Sequence, residues 1–317
     1  SSVKKYKQSQ RNRMIGWTAV AAACLLIVGF NLSHWLNLSD ESIDYASIIT
    51  QTIPNSPDAD ITLFHSDNKE ISMSGKEAEV DYDGGYVHFK TESSAEEKKE
   101  EVENKLNQLV VPKGKRSFVT LTDGTRMWVN AGTVVVFPTE FDGTKREIYV
   151  EGEVYLEVAR DENKPFIVKS RQLHVEVLGT KFDVSAYNED EFHHVTLVEG
   201  SVQVAMPAGR KLPLTPNQQL FYKNETKMSV RMVDNMHHLA WINGYYEYKD
   251  QTMDAVLKGL GKYYGKEITF DRLVTRLVCS GKLDLRNDIR EVLAILQDAA
   301  SIGVDYYEDK IYVYVKS

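Results

Sequence analysis

Cysteine is nearly absent. Cys24 and Cys279 are the whole complement, too few for a disulfide framework, and their contexts differ so much that no bond between them is expected. The common signatures of enzymes are missing too. No G-x-S-x-G elbow, Walker loop or G-x-G-x-x-G turn occurs. Gly261-Lys-Tyr-Tyr-Gly265-Lys266 imitates a phosphate loop only superficially, because its spacing is short and Glu267 stands where Ser or Thr is needed. Metal-ligand spacings such as H-x-x-x-H and C-x-x-C are lacking. His193-His194 and His237-His238 are adjacent pairs. Neighbours on a strand point to opposite faces, so neither pair suits chelation of one metal, and surface positions are expected for them. No cofactor is expected. Bases are scarce beyond the first 13 positions. That stretch holds Lys4, Lys5, Lys7, Arg11 and Arg13 without an acid, a net of +5, while the rest sets 33 bases against 46 acids, a net of −13. So acidic a body argues against duplex nucleic acid as the main partner, since phosphate binding needs clustered Lys and Arg.

What remains is ordinary material for folding. The chain of 317 residues is 42% hydrophobic and carries 17 Tyr. That excludes wholesale disorder and suggests two globular domains at about 150 residues each. No charge occurs between Arg13 and Asp40. Met14 to Leu32 reads MIGWTAVAAACLLIVGFNL, 19 residues and almost all apolar. At about 1.5 Å per residue, a helix of this length nearly spans the ~30 Å hydrocarbon layer. Trp17 and Trp35 lie near its ends, with cations before it and Asp40, Glu41 and Asp44 after it. These features predict a single transmembrane helix over 14–34, with 1–13 cytoplasmic and the C-terminal body periplasmic, an inner-membrane topology. A cleaved signal peptide fits less well because no A-x-A follows the run. A lipoprotein signal at Cys24 fits less well because Leu25-Leu26-Ile27-Val28 continues it.

Beyond the membrane segment the period changes to two. Ile61–Phe64 and Ile71–Met73 flank Asp67-Asn68, and Val80–Tyr82 and Tyr86–Phe89 flank Asp83-Gly84-Gly85. Both patterns read as hairpins. The run 92–105, with Glu96, Glu97, Lys98, Lys99, Glu100, Glu101, Glu103 and Lys105, reads as a solvated linker or exposed helix. The region 35–110 is therefore read as periplasmic hairpins and a charged linker. From Pro112 to about Met232 short strands recur with Gly and Pro breaks, and the block 111–232 is read as an all-β sandwich, barrel or solenoid.

The pattern changes again near Ala240. Met253, Val256, Leu257, Leu260 and Tyr264 fall on one helical face, with Gly265 placed to end the helix. Asp288 and Glu291 form a capping pair for a second helix through Ile289, Val292, Leu293, Leu296 and Ala300, ended by Gly303. Strands over Tyr245–Tyr248, Glu267–Phe270, Val304–Tyr307 and Ile311–Val315 complete a small α+β domain, βαββαβ-like, over 233–317. Its tyrosines Tyr245, Tyr246, Tyr248, Tyr306, Tyr307, Tyr312 and Tyr314 could serve a sheet edge that accepts a partner strand. Alternation sends about half of them into the domain's own core, and Tyr245, Tyr246, Tyr248, Tyr312 and Tyr314 are the candidate partner-binding set.

Six ordered stretches resemble the FecR family of transmembrane anti-sigma regulators, in the form common in Bacteroidetes. They are Val111-Pro-Lys-Gly-Lys115, Leu121-Thr-Asp-Gly-Thr-Arg-Met-Trp-Val-Asn130, Arg146-Glu-Ile-Tyr-Val-Glu-Gly-Glu-Val-Tyr155, Lys164-Pro-Phe-Ile-Val168, Val177-Leu-Gly-Thr-Lys-Phe-Asp-Val184 and Leu197-Val-Glu-Gly-Ser-Val202. The tail, with Trp241-Ile-Asn-Gly244, is similar to the C-terminal domain that accompanies FecR, itself similar to the short N-terminal domain of secretins and TonB-dependent transducers. The resemblance implies a relay without enzymatic activity of its own. The signalling domain of a TonB-dependent, SusC-like outer-membrane transporter contacts the body, which controls an extracytoplasmic-function sigma factor through a cytoplasmic helical domain. Only 13 residues precede the membrane run, so that domain is expected either upstream of this chain or to be absent from this member. The resemblance also marks Gly179-Thr180 as a candidate self-cleavage bond. There the Thr hydroxyl would attack the Gly carbonyl in an N→O acyl shift and water would hydrolyse the ester; a glycine bend in a strand is the plainer account. A membrane-anchored periplasmic glycan-binding or scaffold protein, and a regulator that only cleaves itself, are the alternatives.

Overall fold

The computed structural model describes residues 59–65, 69–83, 86–91, 94–101, 106–234, 239–308 and 310–316, all within the compact unit Ile49–Ser317. The expected membrane helix over 14–34 lies outside these residues, as do Asp67-Asn68, Gly84-Gly85 and His237-His238. No helix among the described residues is long and apolar enough to cross a membrane.

The first half of the body contains β1 (Ile61–His65), β2 (Glu70–Met73), β3 (Glu77–Asp83), β4 (Tyr86–Thr91), β5 (Ser94–Glu101), β6 (Leu106–Val111), β7 (Arg116–Thr120), β8 (Arg126–Val129), β9 (Thr133–Pro138) and β10 (Arg146–Glu157). The second contains β11 (Phe166–Lys169), β12 (His174–Val177), β13 (Lys181–Ala186), β14 (His193–Glu199), β15 (Val202–Ala205), β16 (Lys211–Leu214), β17 (Gln218–Asn224) and β18 (Lys227–Met232).

These strands form two sheets that share β10. One runs β2-β1-β6-β9-β10-β11-β12-β15-β16, the other β5-β4-β3-β7-β8-β10-β13-β14-β17-β18. The transfer happens inside one strand. Tyr149 to Glu151 pair with β9, while Gly152 to Glu157 pair with β13. Gly152 takes φ 124° and lies so close to Thr133 that a Cβ would sit 2.7 Å from the Thr133 Cα. Only glycine combines that angle with that approach.

Alternate residues of both sheets point inward. Leu63, Val80, Val119, Met127, Val135, Phe137, Val154, Leu156, Phe182, Val195 and Leu197 belong to one continuous core. The two expected hairpins form as β1–β2 and β3–β4, but they are not a separate region. β1 pairs with β6 and β3 with β7, so 61–101 and 106–232 build one β body. The run at 92–105 also differs from expectation, since 94–101 is strand β5 at a sheet edge. An edge strand rich in Lys and Glu discourages further pairing, which reconciles that composition with a sheet.

The C-terminal domain begins at the 3-10 turn Ala240–Asn243 and continues as β19 (Tyr245–Thr252), α1 (Met253–Tyr264), β20 (Glu267–Phe270), β21 (Val278–Asp284), α2 (Ile289–Ala299), β22 (Ile302–Tyr306) and β23 (Lys310–Val315). β19 pairs with β21, and β23 lies between β20 and β22. The two helices bury the expected faces. Met253, Val256, Leu257, Leu260 and Tyr264 of α1 meet Val292, Leu293 and Leu296 of α2 in a core distinct from that of the body. Gly265 ends α1 at φ 65°. Asp288 and Glu291 make the full capping box, so Asp288→Ala should lower stability by about 1 kcal/mol in urea denaturation. Gly303 does not end α2, which stops at Ala299. It sits in β22, where a Cβ would meet the Tyr314 ring at 2.3 Å.

Candidate functional site

The motif residues gather into two polar networks. In the first, Arg146 is 2% exposed and donates to Asp123 at 2.7 Å, the Ala159 carbonyl at 2.8 Å and the Lys164 carbonyl at 2.9 Å. Asp123 also accepts from the Thr125 amide and hydroxyl. This staple ties the β7–β8 and β10–β11 loops to the start of β10.

The second network faces the C-terminal domain. Asn130 donates to Glu153 at 2.5 Å. Register places Glu153 opposite Ser185 and Tyr155 opposite Asp183, so Glu153 and Asp183 are diagonal neighbours on one sheet face. Burial is the main force raising both carboxyls, Asp183 well above its ordinary range. The Glu153 charge raises Asp183 further, while Lys262 and Asn130 pull Glu153 down. Trp241 lies against this face and is buried. Its indole N–H lowers the Asp183 carboxyl against the effect of burial, yet neither Trp241 Nε1 nor Asp183 Oδ1 completes a hydrogen bond.

Around that contact the two domains are pinned. Buried Arg116 bonds the Trp241 carbonyl and Glu77. The Gly114 amide donates to the Tyr263 carbonyl at 2.7 Å. Lys262 pairs with Asp190 at 2.5 Å and stands 3.5 Å over the Tyr187 ring. Gly244 takes φ 80° with the Arg116 guanidinium packed against it. Val111–Lys115, which meets Tyr263 and Gly265, and Trp241–Gly244, which meets the adjoining Arg116, are two stretches carrying the family resemblance that both lie at a domain interface. Beside it opens a cleft of about 520 Å³ walled by Asn130, Glu153, Tyr187, Asp190, Trp241 and Lys262, among others.

The candidate tyrosines separate. Tyr248 is 6% exposed and belongs to the domain core. Tyr246 packs against that core, its hydroxyl over Gly259, and burial raises its phenol to about 12. Tyr245 is half-buried beneath Lys282 and Arg286. Tyr312 and Tyr314 lie on the face of β23 opposite buried Ile311 and Val313, with ring centroids 6.1 Å apart. Tyr306 is half-buried and Tyr307 is 63% exposed.

Gly179 does not use the left-handed region. Glycine is required there because a Cβ would lie 2.8 Å from the Arg160 Cα. Thr180 is 4% exposed and its hydroxyl donates to the Ser201 carbonyl at 2.9 Å. His174, the nearest histidine in sequence, is on β12 in the other sheet. An acyl shift would need the hydroxyl to leave Ser201 and turn onto the Gly179 carbonyl carbon. A single species of full mass in denaturing mass spectrometry is the expected result. Two fragments that vanish in Thr180→Ala would show that the shift runs.

The histidine pair on β14 divides as strand geometry requires, with His194 half-buried in the cleft wall. His193, however, is 3% exposed rather than on the surface, and burial lowers its pKa.

The interface residues were not legible as a site, because Glu153, Asp183 and Trp241 are far apart in sequence. The only signal was that all three lie in quoted motifs. Comparison with known proteins gives a consistent account. Residues 107–203 match the family described as FecR protein, and residues 245–313 match the one described as FecR, C-terminal. Two crystal structures of a provisionally assigned anti-sigma factor from Parabacteroides distasonis ATCC 8503, at 1.65 and 2.50 Å resolution, are similar to this chain at 35% identity. The first has a TM-score of 0.57 and is matched over 66% of this chain and 99% of its own length; the second has 0.58, 67% and 100%. A search of curated proteins gives no match.

Proposed function

The chain belongs to the FecR family, and from that premise we propose that it is an anti-sigma regulator relaying a signal across the inner membrane. The input is the signalling domain of a TonB-dependent, SusC-like outer-membrane transducer, and the output is an extracytoplasmic-function sigma factor. The observation that carries this reading is the union in one chain of a FecR body and its C-terminal companion, covering nearly the whole of an anti-sigma relative. The apolar run 14–32 and the acidic balance of everything after it support a membrane-anchored receiver. The β22–β23 hairpin supplies the contact surface, with Tyr312 and Tyr314 side by side on its outer face and β22 at the sheet edge, where main-chain pairing with a partner strand is available.

The test uses the full chain in lipid nanodiscs and the signalling domain of the transporter encoded beside it. Wild type should retain the domain, and Tyr312→Ala with Tyr314→Ala should weaken retention about thirtyfold, as for loss of one aromatic hot spot of about 2 kcal/mol. Capture of glycans with no retention of any neighbouring transporter's domain would overturn the relay in favour of a scaffold.

A further inference from the structure

Buried Asp183 and half-buried Glu153 form an acid pair beside a tryptophan from another domain, where no cation among the described residues is bonded to either carboxyl. Glu153 and Asp183 belong to adjacent strands of the β body, and Trp241 belongs to the turn that opens the C-terminal domain. The Asp183 Oδ1 and Trp241 Nε1 atoms are both buried and unbonded. Two packed amide or apolar side chains would close this contact better than an acid pair, because a second ionised carboxylate beside the first is repelled and desolvated. We propose that the contact is a releasable latch, in which Trp241 holds the C-terminal domain on the β body while the Glu153–Asp183 pair keeps a proton and lets go when the pair ionises fully. The latch is a property of this chain alone and does not depend on which partner the C-terminal domain meets.

The sign follows from where the proton sits. Docked, Asp183 is covered by Trp241 beside Glu153, and the pair holds a proton that a water-exposed pair would lose. Docking therefore takes up a proton, and its equilibrium weakens as pH rises above the ordinary carboxylate range toward the raised values of the buried pair. The charged and titratable groups around the same cleft are Lys262 and Tyr263 from α1, Asp190 and Tyr187 from the segment after β13, His194 from β14, Asp234 after β18, and Tyr245, Tyr246, Glu247 and Lys249 from β19. Buried His193 also feels Asp190 and Lys262. Lys262 opposes ionic release by favouring the Glu153 anion, but it is shared with Asp190. Asp183 lacks any such counter-charge among its perturbing groups, which are Glu153 and Trp241.

Hydrogen-exchange mass spectrometry of the full chain in nanodiscs at pH 5.5 and 8.5 tests the latch, with rates corrected for the intrinsic effect of pH. Peptides covering Trp241–Gly244 and Gly114–Arg116 should lose protection about tenfold for each pH unit in which docking and proton binding are linked. Amides of α1 and of β10 should stay protected, which separates undocking from unfolding. Asp183→Asn with Glu153→Gln should hold the interface peptides protected at both pH values. Trp241→Ala should expose them at both and supplies the open reference. The proposal is overturned if wild-type protection is the same at both pH values, or if the double variant keeps the wild-type pH dependence. Should the double variant misfold, Asp183→Asn alone must reduce the pH dependence.

Discussion

Arg146→Ala is expected to be among the most damaging single substitutions in the β body. The guanidinium is 2% exposed and makes bonds to Asp123 and to the Ala159 and Lys164 carbonyls. It also lies over the Phe166 ring, 5.4 Å from its centroid. Truncation removes the pair's cation and leaves a largely buried carboxylate and two carbonyls to find new partners. Breaking a buried pair from one side costs about 3–5 kcal/mol. For a body of this size each kcal/mol moves the melting point by roughly 2–4 °C, so the midpoint should fall by about 10 °C. Replacing both partners, with Arg146→Met and Asp123→Leu, should cost less than the two single changes added together, because no charge is then stranded. Scanning calorimetry of the four proteins would measure the coupling. A midpoint unchanged in Arg146→Ala would show that the staple does not hold the loops.

Gly152→Ala should have a comparable effect for a different reason. The residue holds φ 124°, and its missing Cβ would lie 2.3 Å from Thr133 Oγ1 and 2.7 Å from Thr133 Cα. Thr133 cannot swing aside cheaply, because its hydroxyl accepts from the Glu153 amide at 3.0 Å. Backbone strain of about 1–3 kcal/mol adds to overpacking of about 1–3 kcal/mol, so a loss near 4 kcal/mol is expected in guanidinium denaturation. Gly209→Ala is the control. That glycine also has positive φ, 80°, but nothing lies within 4 Å of its Cβ position. It should cost about 1 kcal/mol, the strain of left-handed backbone alone. Equal losses at the two positions would mean that the contact with Thr133 is not tight.

Where contacts are local, the residues announce the structure. The i, i+3, i+4 spacing of Met253, Val256, Leu257 and Leu260 placed one face of α1 on its core, and Asp288 with Glu291 placed the start of α2. Turn residues between alternating runs placed β1–β2 and β3–β4. Charge in 92–105 misled, because a strand at a sheet edge and a solvated linker tolerate the same residues. Gly303 misled because a glycine required by an overlying Tyr314 ring reads in sequence like one that ends a helix. The steric need for glycine at 179 is likewise set by a residue distant in sequence, Arg160. The cluster that joins the domains was the least legible part. Asn130, Glu153 and Asp183 meet only through strand register, and register is a property of paired strands rather than of any one of them.

The sequence by itself determined both helices and four strands of the C-terminal domain, the β character of the body, the apolar run over 14–32 and the family to which the chain belongs. Each of these depends on side-chain periodicity or ordered motifs within a single stretch. Tertiary structure alone decided that β10 serves two sheets, that 61–101 belongs to the same body, and that Trp241 comes to rest beside two carboxyls. Those outcomes depend on which strands pair and which domains dock, and so on packing between residues that the chain holds tens of positions apart.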